Sequence, residues 1–199
     1  MALELEGLLS AGVGSVNVIT GPMFAGKTRE LLEHLRRAGR AGIARCLIRP
    51  SMDVRGELPG VALKTHAGEH LQEVDDMPVI RVKNLMDAVC KVPKGCKIIA
   101  VDEGQFFPDV SEGCAALASS GALVYVATLN GDFRQKSWPN VAELLASCES
   151  VQKLAAWCQC CRRRPAHFTQ RLKPVHPGKA TEFEVSGDDL YAAVCRACL

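Results

Sequence analysis

Residues 15–38 have the sequence SVNVITGPMFAGKTRELLEHLRRA. Ser15–Thr20 is a short apolar segment and predicts a strand. Thr28–Ala38 predicts a helix, because its leucines recur at helical spacing. The loop between them therefore connects a strand to a helix, which is the structural setting of a phosphate-binding loop.

The loop itself matches the pattern G-x-x-x-x-G-K-[ST]. Its residues are Gly21, Pro22, Met23, Phe24, Ala25, Gly26, Lys27 and Thr28. Glycines let such a loop turn its N–H groups toward phosphate oxygens, and the dipole of the following helix attracts the same anion. Lys27 would reach the outer phosphates of ATP, and the Thr28 hydroxyl would be a magnesium ligand.

A second acidic motif follows the apolar segment Lys97–Val101. Asp102 would hold the magnesium ion, usually through water, as the acidic residue at a neighbouring strand end does in P-loop proteins. Glu103 would then point to the place where the γ-phosphate meets its acceptor, and it could accept a proton there. The motif alone leaves open whether the proton comes from water, as in an ATPase, or from a substrate hydroxyl, as in a kinase.

Strands and helices alternate through the first three quarters of the chain. Further strands are predicted at Ile43–Ile48, Val61–Lys64, Val79–Val82, Lys97–Val101 and Ala122–Thr128, and further helices at Asn84–Lys91 and Ser111–Ser119. This alternation predicts an α/β fold of the P-loop type, with a largely parallel sheet and flanking helices.

Half of the ten cysteines lie after residue 157. Two C-x-x-C pairs, Cys158/Cys161 and Cys195/Cys198, match a four-thiolate structural zinc site. Four thiolates leave zinc no open position for catalysis, so the metal would fix the long loop between the pairs. Cys160 is a spare ligand candidate, and the five cysteines dispersed through the earlier chain are predicted to be core residues.

The pattern of alternating elements ends near Ser150, where cysteine pairs, prolines and short strand-like pieces such as Thr181–Val185 take over. We therefore predict two domains, a P-loop α/β domain at residues 1–149 and a small zinc-binding domain, of the ribbon or lasso kind, at residues 150–199.

The overall composition excludes some partners. The net charge is only +2, from 24 basic and 22 acidic residues, so no strong field draws the protein to nucleic acid or an anionic membrane. No secretory signal and no apolar run of membrane-spanning length occurs in the sequence. We expect a soluble, cytoplasmic protein with reduced cysteines that binds neither nucleic acid nor a membrane.

The motifs together resemble the type II thymidine kinase family. They are Gly21–Thr28, the sequence DEGQFF at Asp102–Phe107, the sequence LNGDFR at Leu129–Arg134, and the four-cysteine tail. The resemblance extends in order from Val16 to Cys198. It implies a kinase that transfers the γ-phosphate of ATP to the 5′-hydroxyl of thymidine or deoxyuridine, in the salvage route to DNA precursors.

The resemblance also implies roles for individual residues. Glu103 would be the general base, and Thr28 and Asp102 would serve magnesium. Further phosphate-site residues would be Asp53, Arg55 and Gln105. The base and sugar would contact Met23, Phe106, Leu129, Phe133, Thr169 and Tyr191. Backbone groups binding thymine would belong to Glu182, Phe183, Glu184, Val185 and Ser186. A homotetramer with feedback inhibition by thymidine triphosphate is implied as well.

Two departures from the family pattern concern the acceptor side: Asn130 replaces a common aspartate, and Ser186 replaces a usual glycine. A third is Ser137-Trp138, where the family more often has proline and phenylalanine.

Two other functions stay open from the residues alone. A P-loop ATPase acting on nucleic acid would use the Asp102-Glu103 pair and the basic run Arg162–Arg164. The near-neutral charge and an aromatic content of 5% count against it, and a solvated basic face explains the run more simply. An interaction module with a vestigial P-loop is weaker still, because Lys27 and Thr28 are both present.

Overall fold

The structure is a computed structural model and describes residues 12–52, 77–172 and 190–199. Its main sheet has six strands: β1 (Ser15–Gly21), β2 (Arg45–Pro50), β3 (Val79–Val82), β4 (Ile98–Val101), β5 (Leu123–Leu129) and β6 (Ser150–Lys153). Their order is β3-β2-β4-β5-β1-β6, and every neighbouring pair runs parallel. The predicted α/β fold with a parallel sheet is therefore confirmed.

Within residues 12–52, 77–172 and 190–199, four helices accompany this sheet: α1 (Lys27–Arg40), α2 (Met86–Val89), α3 (Val110–Ser119) and α4 (Pro139–Ser147). Two short 3₁₀ turns lie at Gly104–Phe106 and Arg196–Cys198. Among the described residues, no helix combines the length and the apolar composition that crossing a bilayer requires.

The sheet is buried on both faces, as the side chains of β4 illustrate. Ile98 and Ala100 pack with the leucines of α1 on one face, whereas Ile99 and Val101 pack on the other face with residues of α3 and α4. Because successive side chains of a strand point to opposite faces of the sheet, the same strand contributes to two separate hydrophobic cores. This three-layer arrangement brings the carboxyl ends of β1, β4 and β5 to one edge of the sheet.

In the main sheet and its helices, the predicted elements match the observed ones within a few residues, and α4 and β6 are two further elements that were not predicted. Helix α4 begins with Pro139 in its first turn, a position that tolerates the missing N–H of proline. Strand β6 is exposed along its whole length and extends the sheet beside β1. The predicted strands Val61–Lys64 and Thr181–Val185 lie outside the described residues.

The described part of the smaller unit contains two antiparallel strand pairs. One joins β7 (Ala156–Trp157) to β8 (Pro165–Ala166), and the other joins β9 (Phe168–Arg171) to β10 (Tyr191–Val194). Its small core includes cysteines of the tail, and Phe24 and Ala25 of the P-loop pack against it. The domain boundary at residue 150 stays a prediction, and the main sheet continues past it through β6.

The five dispersed cysteines differ in burial. Cys46, Cys96 and Cys114 are buried in the core, as predicted, and Cys148 is half-buried. The prediction is wrong for Cys90, which is exposed where the four-residue helix α2 ends at the surface.

Candidate active site

The P-loop turns between the end of β1 and the start of α1. Gly26 has a φ of 81°, in the left-handed region that glycine enters without steric cost. The Lys27 amine donates a hydrogen bond to the Pro22 carbonyl at 2.7 Å, which holds the lysine across its own loop. The strand–loop–helix order predicted from the sequence is present.

The two predicted magnesium ligands meet at this loop. The Thr28 hydroxyl donates to Oδ1 of Asp102 at 3.0 Å, although one residue begins a helix and the other follows β4. Asp102 is buried. A hydroxyl and a carboxylate oxygen side by side are the donor types that magnesium prefers, so these residues fit the ion.

Glu103 combines burial with an unusual backbone. Its side chain is buried, yet its φ of 54° and ψ of 45° lie in the left-handed region. Such a conformation costs a non-glycine residue on the order of 1–3 kcal/mol and is concentrated at functional sites. The next residue, Gly104, approaches β5 so closely that a Cβ would lie 2.8 Å from Cγ1 of Val126. The sharp turn after β4 therefore fixes the direction of the Glu103 side chain.

Gln105 orients the Glu103 carboxylate. Its amide nitrogen donates to Oε2 of Glu103 at 2.5 Å, and its amide oxygen accepts from the Thr128 hydroxyl at 3.2 Å and from the Leu129 N–H at 3.1 Å. The Asn140 amide donates to the Gln105 carbonyl at 3.0 Å. The side chain that we predicted near phosphates thus bridges Glu103 to the end of β5.

Thr128, Asn140 and Arg49 belong to the site but were not predicted from the sequence. The Arg49 guanidinium lies 3.6 Å from Oδ2 of Asp102, and both side chains are buried. Its signal in the sequence was a cation within the otherwise apolar segment Cys46–Pro50. Such a pattern predicts that the charge is buried, but it does not identify the residue that pairs with it.

Several residues predicted to surround the acceptor lie beside the P-loop. The Met23 N–H donates to the Thr169 hydroxyl at 3.0 Å, in a buried hydrogen bond between the loop and β9. The rings of Phe133 and Tyr191 are 6.3 Å apart, and the Arg171 guanidinium lies 5.7 and 5.9 Å from their centroids. These contacts form one wall from the P-loop, β9, β10 and the segment after β5.

Two further predicted acceptor residues lie closer to Glu103. The Leu129 backbone contacts Gln105, and the Phe106 ring meets Trp138 edge-on at 6.2 Å. The remaining predicted site residues lie outside the described ranges. They are Asp53, Arg55, Glu182, Phe183, Glu184, Val185 and Ser186.

The four cysteines of the tail form a metal-ligand cluster. The sulfur atoms of Cys158, Cys161, Cys195 and Cys198 all lie within 4.8 Å of one another. A tetrahedral zinc site with Zn–S bonds of about 2.3 Å requires sulfurs about 3.8 Å apart. The Cys161 and Cys195 sulfurs are 3.9 Å apart, so the cluster fits zinc. Cys160 is exposed and is not one of the four.

The surroundings of Cys158 favour the thiolate form that binds metal. Burial opposes ionisation of this thiol, but hydrogen bonds from the backbone N–H groups of Cys161, Cys195 and Cys160, together with one from the Cys161 thiol, outweigh burial and lower its pKa to about 6. The Cys195 N–H donates to the Cys158 sulfur at 3.3 Å. Hydrogen bonding with the neighbouring thiols, Cys195 first, raises the pKa of Cys198 instead.

The fold and the site together define a P-loop protein of the phosphoryl-transfer class, with a magnesium-type ligand pair and a buried carboxylate beside the loop. A family model described as thymidine kinase matches residues 14–199. The chain belongs to the thymidine kinase family.

Similar proteins come from viruses and from an animal. The thymidine kinase of raccoon poxvirus is 37% identical over 186 residues, which cover 93% of this chain and 96% of that protein. The cytosolic thymidine kinase of Gallus gallus is 38% identical over 93% of this chain and 76% of its own length. The thymidine kinase of Myxoma virus is 34% identical over 93% of this chain and 96% of that protein.

Proposed function

We propose that this protein transfers the γ-phosphate of ATP to the 5′-hydroxyl of thymidine or deoxyuridine. The observation that carries the proposal is the Glu103 carboxylate, which directly follows the Asp102 bonded to Thr28 and is oriented by Gln105. A buried, oriented carboxylate at this point can accept the proton of an attacking hydroxyl. Membership in the thymidine kinase family supports a nucleoside hydroxyl, rather than water, as the acceptor.

The P-loop and helix α1 are proposed to bind the phosphates of ATP. Backbone N–H groups of residues 24–28 in the loop cradle the phosphates, and Lys27 neutralises charge on the outer ones. Thr28 and Asp102 hold magnesium, which when bound neutralises charge that develops on the transferred group. Asp53 and Arg55, outside the described residues, are proposed to act near the same phosphates.

Acceptor binding is proposed for the wall beside the loop. Met23, Thr169, Phe133 and Tyr191 line one side, and Phe106 and Leu129 lie toward Glu103. An apolar pocket with a few polar groups suits a nucleobase. Backbone groups of residues 182–186 are proposed to bind thymine, which would make the segment between the two cysteine pairs part of the acceptor site.

The cysteine cluster is proposed to hold one structural zinc ion per chain, which pins both ends of that segment. We also propose that the protein is a cytoplasmic homotetramer. We further propose that thymidine triphosphate inhibits it, because this inhibitor could occupy the acceptor and phosphate sites at once. The family resemblance supports these proposals, and the name of the cytosolic chicken relative supports the location.

The decisive assay uses ATP labelled at the γ-phosphate, magnesium, and either thymidine or single-stranded DNA. We expect labelled thymidine monophosphate in the first reaction and no stimulated ATP hydrolysis in the second. ATP hydrolysis that depends on DNA, with no labelled nucleotide formed from thymidine, would indicate an ATPase acting on nucleic acid instead of a kinase.

The P-loop side chains give a further prediction. Lys27→Ala should lower kcat/KM for ATP on the order of a hundredfold, because a cation acting on the transferring phosphoryl group is lost. Thr28→Ala should raise the magnesium requirement. Steady-state kinetics with thymidine and with deoxyuridine checks both, since a phosphate-site defect must appear with either acceptor. Lys94→Ala, an exposed lysine before β4, is the matched control. Unchanged kinetics in Lys27→Ala would mean that residues 21–28 are not a working P-loop.

A further inference from the structure

Arg49 is a charged side chain inside the hydrophobic core. It lies near the carboxyl end of β2, between β3 and β4, and it is 1% exposed. The residues before it in the strand, Cys46, Leu47 and Ile48, are buried and apolar. Burial of a guanidinium is unfavourable unless the charge is paired. We therefore expect a negatively charged side chain next to this guanidinium.

That partner is Asp102, whose two carboxylate oxygens have different neighbours. Oδ2 lies 3.6 Å from Nη2 of Arg49. Oδ1 accepts hydrogen bonds from the Thr28 hydroxyl at 3.0 Å and from the Glu103 N–H at 3.1 Å. With Oδ2 turned toward Arg49, Oδ1 is turned toward the P-loop.

The pair lies away from solvent, where screening by water is weak. A buried ion pair is a poor stabiliser of a fold, because apolar residues of similar volume often serve equally well. Here the carboxylate is a proposed magnesium ligand, and a buried cation 3.6 Å from its Oδ2 atom fixes the orientation of the carboxylate. Charged groups behind metal ligands commonly orient them in this way.

We propose that Arg49 is a positioning residue for phosphoryl transfer: it fixes the Asp102 carboxylate so that Oδ1 faces Thr28 and the magnesium ion. The inference rests on the proposed function for its magnesium site. It assigns Arg49 no contact with either substrate, since the residue acts through Asp102.

The test compares Arg49→Met with Arg45→Met, which removes a guanidinium from the other end of the same strand. We expect the magnesium concentration for half-maximal activity to rise about tenfold or more in Arg49→Met, as for loss of other groups that orient metal ligands. The KM for thymidine should stay near the wild-type value. Arg49→Lys should retain part of the function, because it keeps the charge but not the planar fork.

A second readout does not depend on turnover. Manganese binding, followed by electron paramagnetic resonance with a non-hydrolysable ATP analogue, should weaken to a similar extent in Arg49→Met and stay unchanged in Arg45→Met. Thymidine binding by calorimetry verifies that the fold is intact. If Arg49→Met does not fold, Arg49→Gln takes its place under the same criteria.

Wild-type manganese affinity in a folded, neutral Arg49 variant would overturn the inference. Equal losses of manganese and thymidine binding would overturn it too, because they indicate a general structural role. Failure of the wild-type protein to phosphorylate thymidine would instead overturn the proposed function. The manganese measurement needs no acceptor, so the two failures are distinguishable.

Discussion

Replacement of Glu103 by glutamine should lower turnover with thymidine by about a hundredfold or more, as expected when a positioned general base is lost. Glutamine has nearly the same shape, and its amide oxygen can still accept the hydrogen bond from Gln105. The left-handed backbone at residue 103 is retained as well. The substitution therefore removes the proton acceptor and leaves the surrounding geometry in place, so nucleotide binding should change little.

Single-turnover kinetics with preformed enzyme–thymidine complex measures the chemical step directly. Glu112→Gln, which removes an exposed carboxylate from α3, is the matched control and should behave as the wild type. A Glu103→Gln enzyme that keeps wild-type turnover would show that proton removal does not depend on this carboxylate. A parallel loss of ATP affinity would point to a role in nucleotide binding.

Loss of zinc should have the second large effect, on acceptor binding. Cys195→Ser removes one of the four clustered sulfurs and should abolish stoichiometric zinc. The segment between the cysteine pairs then loses one of its anchors. We expect the acceptor site to be formed in only about a tenth of the zinc-free molecules. The apparent affinity for thymidine should then fall about tenfold, because only these molecules can bind it.

ATP binding should fall less, because the loop, β1 and α1 belong to the main core. Some loss is expected even there, since Phe24 and Ala25 pack on the same small core as Cys158 and Cys195. Metal analysis and separate calorimetric titrations of the two ligands measure the difference. Cys90→Ser, at an exposed cysteine far along the chain from the cluster, is the control. Protein that lacks zinc when purified without chelators would contradict the prediction, as would unchanged thymidine affinity in zinc-free Cys195→Ser.

The sequence predicted those parts of the site that local patterns encode. A P-loop is contiguous, and each C-x-x-C pair occupies four residues, so both can be recognised in the sequence alone. The contacts of Arg49 and Gln105 cannot, because they depend on which strands are neighbours. Placing β2 next to β4 pairs Arg49 with Asp102, and placing β4 next to β5 brings Gln105 to Thr128. No local periodicity specifies this order.

The elements that the sequence did not predict have weak local signals for physical reasons. Strand β6 has the sequence SVQK and lies at the edge of the sheet, where no apolar alternation is required. Helix α4 follows the largely polar segment 130–137 and begins with Pro139, and only Val141 and Leu144 are buried in it. Short elements with few buried positions leave little periodicity to detect.

The position of β1 also governs the order in which the chain can fold during synthesis. Among the described strands it is the first to leave the ribosome, yet its register places Ser15 opposite Leu123 and Asn17 opposite Ser150. Both partners are translated only after strands β2, β3 and β4. Such non-local pairing slows folding and leaves an apolar strand unpaired in the nascent chain, where it can associate with other chains. A stall in translation before Leu123 would therefore leave a fragment that carries the complete P-loop sequence, and strands β2 to β4, but lacks both neighbours of β1.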